Sequence, residues 1–409
     1  MPPTNTRVIL LLALAGFASM AAMRVTDAML PALSQAFERP VADVAQNITV
    51  FAIAYGLMQL CYGPLGDRYG TLRVIGLATL ACALGALGSA LAGSLSSLLL
   101  FRTLTGATAA AIIPLSMAWV GNNVGYAARQ VTLAHMLSGA VMGLIAGQVM
   151  GGLLADTLGW QAAFLVLALL FLLAGGLLTG AVLREPALAP PGEASGGIAF
   201  LARLAGVLAI PRARQILLLV FLEGIAAFGA LAFAASHLHE RLGVSLTGAG
   251  LLVALFGVGG LLFAALARPL VKHLGEPGLA ALGGTLMGAG FCLLAFAPLP
   301  VVAAGGAFAA GLGFYMMHST LQTNATQMAP AARGTAMAVF AGCLFLGQSV
   351  GVSLGALVLR LAGSGVLLAL AGAWLLVLGA VFARRLRRWQ TKPGVEAPGS
   401  EVSSEVRSP

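Results

Sequence analysis

Long apolar runs follow one another along almost the whole chain, and short polar intervals separate them. A helix that crosses about 30 Å of hydrocarbon needs roughly 20 apolar residues, so each run predicts a membrane-spanning helix. The ten-residue alternating segments of a membrane β-barrel do not occur. The predicted spans lie at about 7–32, 44–66, 73–93, 97–120, 130–154, 161–183, 214–236, 247–272, 278–297, 299–322, 333–359 and 363–386.

Composition supports the same interpretation. Of the 409 residues, 59% are hydrophobic and 9% are charged, whereas soluble domains carry about 25% charged residues. The chain is therefore predicted to be an all-α membrane protein embedded in a lipid bilayer. Its first span also resembles a signal peptide, with Arg7 before an apolar stretch. Because the apolar character continues to Leu33, we interpret this span as a retained first helix.

The distribution of basic residues predicts the orientation. If both termini are cytoplasmic, most of the 22 Lys and Arg residues fall on the inner side, as is typical of membrane proteins. We therefore expect a protein of the cell (inner) membrane with both termini in the cytoplasm. Basic loops at an anionic leaflet explain the net charge of +9 without nucleic acid as a partner.

The longest polar interval divides the chain into two halves. Residues 184–213 are rich in Pro, Gly and Arg, which predicts a cytoplasmic linker between six-helix bundles at 1–183 and 214–388. Residues 389–409 are predicted to be a disordered tail. The gap "GPLGDRYGTLR" of the first half has a counterpart, "ARPLVKHLGE", in the second. Twelve spans in two pseudo-symmetric bundles are typical of transporters with a site between the halves.

The stretch "GPLGDRYG" places two charges in a short turn between apolar spans. Gly63 and Gly70 allow a tight turn, and Asp67 can accept hydrogen bonds from a helix N-terminus. On the residues alone, the alternative is a polar turn that only ends two spans, with Arg68 as an inner anchor.

This stretch resembles the loop 2–3 signature of the major facilitator superfamily, G-x-L-x-D-R-x-G. The positions that match are Gly63, Leu65, Asp67, Arg68 and Gly70. Thr71 and Leu72 stand where the family has basic residues. The resemblance implies the major facilitator fold and a gate, in which Asp67 holds the cytoplasmic ends of the two halves together in the outward-open state.

Three further segments carry the resemblance. "RTLTG", with Arg102, resembles the fourth-span motif, and "TDAMLPAL", with Asp27, resembles the first span of the drug/proton antiporter branch. "GLIAGQVMGG" resembles the fifth-span motif of that branch, although Gln148 stands where the motif has proline. These matches imply a proton-coupled antiporter.

The glycines of the fifth span also have a direct physical reading. Gly143, Gly147 and Gly151 share one smooth helix face that allows backbone contact with a neighbouring helix. Each glycine taken alone is explained by packing. Together with Gln148 and Gly152 they predict a helix seam that keeps one access path closed.

Four ionisable residues within spans are the candidates for proton coupling and substrate binding. They are Arg24, Asp27, Arg102 and Glu223. Such groups cost about 2.5–3.5 kcal/mol on insertion scales and usually mark substrate or proton paths. Arg24 and Asp27 share a helix face, so an internal ion pair that only neutralises the span is the alternative. A structural counter-ion and a hydrogen-bonded buried acid are the alternatives for Arg102 and Glu223.

The predicted function is proton-coupled export of lipophilic or cationic drugs, or of a metabolite, by a monomer. Because Gln148 replaces the proline of the fifth-span motif, a proton-driven importer is the alternative. An integral membrane enzyme would need a clustered His/Asp or Ser/His set, which we do not find in the sequence. No Walker motif is present. The cysteine spacing and the weak His237-x-His239 pattern indicate neither a metal site nor a cofactor. His135 and His318 lie in spans and are interpreted as packing residues, with a proton relay as the alternative.

Overall fold

A computed structural model of the protein describes residues 3–188 and 197–391. All regular structure within these ranges is helical. The α-helices are α1 (Pro3–Phe37), α2 (Val41–Val44), α3 (Gln46–Tyr69), α4 (Thr71–Ala90), α5 (Leu95–Ala109), α6 (Ile112–Asn123), α7 (Tyr126–Thr157), α8 (Trp160–Arg184), α9 (Gly197–Ala209), α10 (Pro211–Leu242), α11 (Leu246–Phe296), α12 (Pro300–Gln327), α13 (Arg333–Ala362) and α14 (Ser364–Thr391).

Eleven helical segments of the described chain are long and apolar enough to cross a membrane. One of them, α11, has 51 residues and contains Gly275 with φ 60° and ψ 176°, outside the helical region. Glycine tolerates this left-handed φ, and the chain turns there. Because α11 therefore supplies two spans, the twelve predicted spans and the all-α membrane fold are confirmed.

The interval predicted as a linker contains more helix than expected. Residues 189–196 lie outside the described residues, but α9 follows them and α10 begins at Pro211. Leu204 and Val207 of α9 pack on the core of the second half. With 13 residues, α9 is too short to span a bilayer, which is why hydropathy did not separate it from the linker. The tail predicted for 389–409 is described only to Thr391.

In the first half, α7 packs directly on the backbone of α1. Each of three glycines of α7 faces one carbonyl oxygen of α1, and a Cβ atom at any of them would collide with that backbone. The facing pairs are Gly143 with Phe17, Gly147 with Ala21, and Gly151 with Val25. The predicted glycine face is thus the contact surface between these two helices.

The second half repeats this seam between α13 and α10. Gly347 faces the carbonyl oxygen of Phe221, and Gly351 faces that of Ile225. Both pairs lie 200 positions after their counterparts in the first half, and each half carries the sequence G-Q-x-x-G at this place. Gln348 of α13 is the counterpart of Gln148. The pseudo-symmetry of the two halves therefore extends to individual backbone contacts.

One end of the bundle, which we call the closed end, joins the two halves by polar contacts. Asp156, at the end of α7, accepts hydrogen bonds from the backbone N–H of Leu246 (3.3 Å) and from the N–H (2.7 Å) and hydroxyl (2.6 Å) of Thr247. This carboxylate caps α11, whose N-terminus carries partial positive charge. Arg360 of α13 forms an ion pair with Asp43 of α2 at the same end.

The halves separate toward the other end, which we call the basic end and which carries Arg68 and Arg73. Gly250 and Gly257 of α11 still contact α7. One to two turns further on, Leu137 of α7 and Ala264 of α11 are exposed. We interpret this conformation as closed at one end and open at the basic end.

Replacement of Asp156 by Ala is expected to shift the population toward opening at the closed end. The change removes three hydrogen bonds between the halves. Because the site is exposed, we expect the closed end to lose roughly 1 kcal/mol of stability. Spin labels at Leu158→Cys and Leu361→Cys, in a background without native cysteines, should report a larger fraction of long distances.

Thr157→Val is the matched control, because the Thr157 hydroxyl bonds only to the Leu153 carbonyl of its own helix. An unchanged distance distribution in Asp156→Ala would show that the carboxylate does not hold this end shut.

Candidate functional site

The centre of the first half contains a buried carboxylate with two donors. Asp27 Oδ2 accepts hydrogen bonds from an Arg24 terminal nitrogen (3.2 Å) and from Gln148 Nε2 (3.0 Å). Asp27 is fully buried, and the two donors are 2% and 3% exposed. Arg24 and Asp27 lie on one face of α1, and the seam at Gly147 brings Gln148 of α7 within reach. The predicted ion pair is thus joined by a residue from another helix.

The role of Gln148 was missing from the sequence prediction, which placed this residue only in the helix seam. A proline at this position would have no amide side chain to donate. A carboxylate buried away from water needs donors to offset its lost hydration. Because Gln148 replaces proline, this position can donate a hydrogen bond to the buried carboxylate of Asp27.

Three buried polar atoms of this group have no partner among the described residues. They are one terminal nitrogen of Arg24, Oδ1 of Asp27 and Oε1 of Gln148. Buried polar groups are nearly always satisfied by protein or water. The group therefore has free capacity for hydrogen bonds.

Arg102 of α5 lies next to this group but does not reach the carboxylate. It donates to the Ala22 carbonyl of α1 (2.9 Å), and its guanidinium carbon lies 4.3 Å from the centre of the Phe51 ring. The first contact holds α5 against α1 two residues before Arg24, and the second holds it against α3. The predicted site residues Arg24, Asp27 and Arg102 thus come together in one half.

A small cavity, with room for about 30 Å³ in this conformation, lies between the two halves beside this group. The second half closes over Arg24, whose guanidinium carbon lies 4.2 Å from the centre of the Phe228 ring. The lining residues are Arg24, Leu144, Ile145, Gln148, Phe228, Leu231, Val253, Ala254, Phe256, Gly257 and Tyr315. Of these described lining residues, Arg24 carries a charge, and most of the others are apolar.

Glu223 occupies a separate place. One of its carboxylate oxygens lies 2.8 Å from Nδ1 of His318 in α12, and the His318 ring stacks on Phe314 with centroids 4.9 Å apart. Glu223 is fully buried and does not line the cavity. The 200-position repeat explains this difference from the prediction, because it pairs Asp27 with Ala227 rather than with Glu223.

The predicted gating residues lie far from this cavity. Gly63, Asp67 and Arg68 lie in the last two turns of α3 at the basic end, so the predicted turn is confined to Gly70, and Asp67 and Arg68 are exposed. Gly70 has φ 89° and separates the two helices. Open space surrounds Gly63, so this end of α3 has no close contact there with the second half in this conformation.

The remaining seam residue and two further histidines, His237 and His135, lie outside the cavity lining. Gly152 faces the carbonyl of Leu246 and so lies where α7 meets α11. His237 contacts the Ser364 hydroxyl at 2.8 Å, and His135 is exposed on α7. Among the described residues, no group of three His, Cys, Asp or Glu side chains could hold a metal ion.

Comparisons with known proteins agree with this architecture. The chain is 28% identical over 342 residues to the uncharacterized MFS-type transporter YceJ of Bacillus subtilis, covering 80% of this chain and 82% of that relative. It is 26% identical over 155 residues to the multidrug export protein EmrB of Escherichia coli, covering 38% of this chain and 30% of EmrB. The match to YybF of Bacillus subtilis, at 24% identity, spans 40% of that relative. The EmrB and YybF matches thus cover less than half of those proteins.

Solved structures share the fold at low identity. The nucleoside transporter NupG superposes with a TM-score of 0.77 at 13% identity, covering 92% of this chain and 99% of NupG. An inward-facing, unoccupied bacterial homolog of the human lysosomal transporter Spinster superposes with a TM-score of 0.74 at 18% identity. This match covers 96% of this chain and 100% of that homolog. A model of the Major Facilitator Superfamily matches residues 12–236 and 216–408. The chain therefore belongs to the Major Facilitator Superfamily.

Proposed function

We propose that this protein is a proton-coupled secondary transporter that exports small lipophilic or cationic molecules, or a metabolite, by alternating access. The observation that carries the proposal is the buried Asp27, whose donors come from two helices at the edge of a cavity between the halves. Intramembrane carboxylates of this kind usually belong to proton or substrate paths.

Coupling follows from the position of Gln148. Its side chain donates to Asp27, while its backbone carbonyl lies against Gly250 of the second half. A movement of α11 away from α7 would remove this backbone support and allow the amide to leave the carboxylate. Asp27 then loses one donor that favours its charged form, and a proton can bind. Arg24, Gln148 and Arg102 are the charged and polar groups packed around it.

Export is the direction favoured by the motifs of the first and fifth spans and by the likeness to a multidrug export protein. The mostly apolar lining of the cavity suits lipophilic molecules. We further propose that the basic end faces the cytoplasm, that both termini lie there, and that a monomer in the inner membrane is the working unit. The open end then admits substrate from the cell interior.

Proton-driven import is the second candidate, and Arg24 is the observation that favours it. An anion bound beside Arg24 would repel the charged form of Asp27 and so favour its protonation. Proton and substrate would then bind together and move in one direction. The direction of transport under an imposed pH gradient separates the two candidates.

Replacement of Asp27 by Asn is expected to abolish transport driven by a pH gradient. The amide keeps the size of the side chain and can still accept hydrogen bonds from Arg24 and Gln148, but it cannot carry a proton. Substrate exchange without a gradient should continue. The measurement is uptake and efflux of a compound panel by proteoliposomes, with and without an imposed pH difference.

Glu185→Gln is the matched control, because Glu185 is an exposed acid at the basic end. It should transport like the wild type. If Asp27→Asn still responds to the pH gradient, the proton is carried by another group, and Glu223 with His318 becomes the first alternative.

Replacement of Asp67 by Asn is expected to stabilise the conformation seen here. Asp67 is exposed in this open state, so its proposed latch acts only when the basic end closes. Losing the charge should therefore raise the labelling of Leu144→Cys, in the cavity lining, by a membrane-impermeant maleimide added at the basic side. Equal labelling of Asp67→Asn and wild type, with normal transport, would leave this turn with only a structural role.

A further inference from the structure

We propose that the cavity between the halves binds amphipathic organic anions, with Arg24 holding a carboxylate or a similar acidic group. This inference rests on the proposed function only in taking the cavity as the place where the transported molecule binds. It narrows the proposed substrates, which were lipophilic or cationic molecules or a metabolite, to aromatic or aliphatic molecules that carry one negative charge, and it excludes the cationic ones.

Arg24 has an unused donor at the cavity. One terminal nitrogen is bonded to Asp27, while the other is buried and has no partner among the described residues. The residue is 2% exposed and lines the cavity. A guanidinium presents its donors in a fixed planar fork that matches a carboxylate. Arg24 can therefore donate to Asp27 from one terminal nitrogen and to a bound anion from the other.

The buried charges around Arg24 favour a further anion. Arg24 and Arg102 carry two positive charges in this region, and Asp27 supplies one negative charge. Neither Asp27 nor Arg102 lines the cavity. One anionic group beside Arg24 would balance the excess positive charge, and burial away from water strengthens such an attraction.

The rest of the lining determines the body of the ligand. Phe228 and Phe256 of the second half present rings to the cavity, and Leu144 and Ile145 of α7 present aliphatic side chains. Tyr315 adds the one phenol of the lining. An aromatic or branched aliphatic body suits these surfaces, since burying apolar area is favourable.

A cationic ligand is disfavoured at the same place. No acidic side chain is found among the described residues that line the cavity. Glu223, one of the sequence candidates for substrate binding, is buried against His318 in the second half. An ammonium group would face Arg24 without a counter-charge, and like charges at close range in a poorly hydrated site repel strongly.

Matched compounds test this inference on the purified full-length protein in detergent. The probes are biphenyl-4-carboxylate, its primary amide and 4-phenylbenzylamine, together with the naphthalene series of the same three groups. Within each series the apolar body is nearly constant and the head group changes from anion to neutral to cation. Titration calorimetry gives the affinities, and no proton gradient is needed.

We expect the carboxylate of at least one series to bind about 10- to 100-fold more tightly than its amide, the range for a hydrogen bond to a charged group. The amine should bind no better than the amide. Arg24→Gln should remove the preference for the carboxylate, and Arg24→Lys should keep part of it. Arg39→Gln is the matched control, since Arg39 is exposed just after α1; it should bind like the wild type, and titration of detergent without protein reports any uptake of probes by detergent.

Arg24→Gln leaves Asp27 without its ionic partner, so folding is checked by size-exclusion chromatography and thermal unfolding. If that variant does not fold, Arg24→Gln with Asp27→Asn removes one positive and one negative charge together, so the net charge of the region stays as in the wild type, and this variant should also lack the preference. Equal binding of carboxylate and amide by the wild type, failure of every carboxylate to bind, or a preference that survives the loss of Arg24 would overturn the proposal. A carboxylate preference without pH-driven transport would contradict only the proposed function.

Discussion

The arrangement of the first half depends on the burial of one carboxylate. Asp27 is surrounded by apolar helices, and its charge requires donors within hydrogen-bond distance. Arg24 supplies one from the same helix, but Gln148 must come from α7, and it reaches Asp27 only because α7 packs on the α1 backbone at Gly147 and Gly151. The glycine seam and the buried charge therefore support each other.

The same residues also connect the two halves. Arg24 bonds to Asp27 and stacks on Phe228 of α10, and the carbonyl of Gln148 meets Gly250 of α11. Asp156 and the Arg360 ion pair join the halves at the closed end. A change in the angle between the halves would therefore act on the donors of Asp27 directly, which is what coupling a proton to alternating access requires.

Sequence alone predicted the helices because the bilayer fixes the length of an apolar span. It did not separate α9 from the linker, since 13 residues are too short to give that signal. The partners Gln148 with Asp27 and His318 with Glu223 lie 121 and 95 positions apart, and periodicity relates only residues of one helix. The repeated G-Q-x-x-G of α7 and α13 could have predicted the alignment of the two halves from the sequence. It places Ala227, and not Glu223, at the position equivalent to Asp27.

The most direct test of this account is a count of the protons exchanged when a ligand binds. Calorimetry of the tightest-binding probe, in buffers that differ in ionisation enthalpy near pH 7, gives this number for the purified protein. The account predicts that the wild type exchanges protons on binding, that Asp27→Asn exchanges none, and that Glu223→Gln behaves like the wild type. Proton exchange that persists in Asp27→Asn and disappears in Glu223→Gln would contradict it.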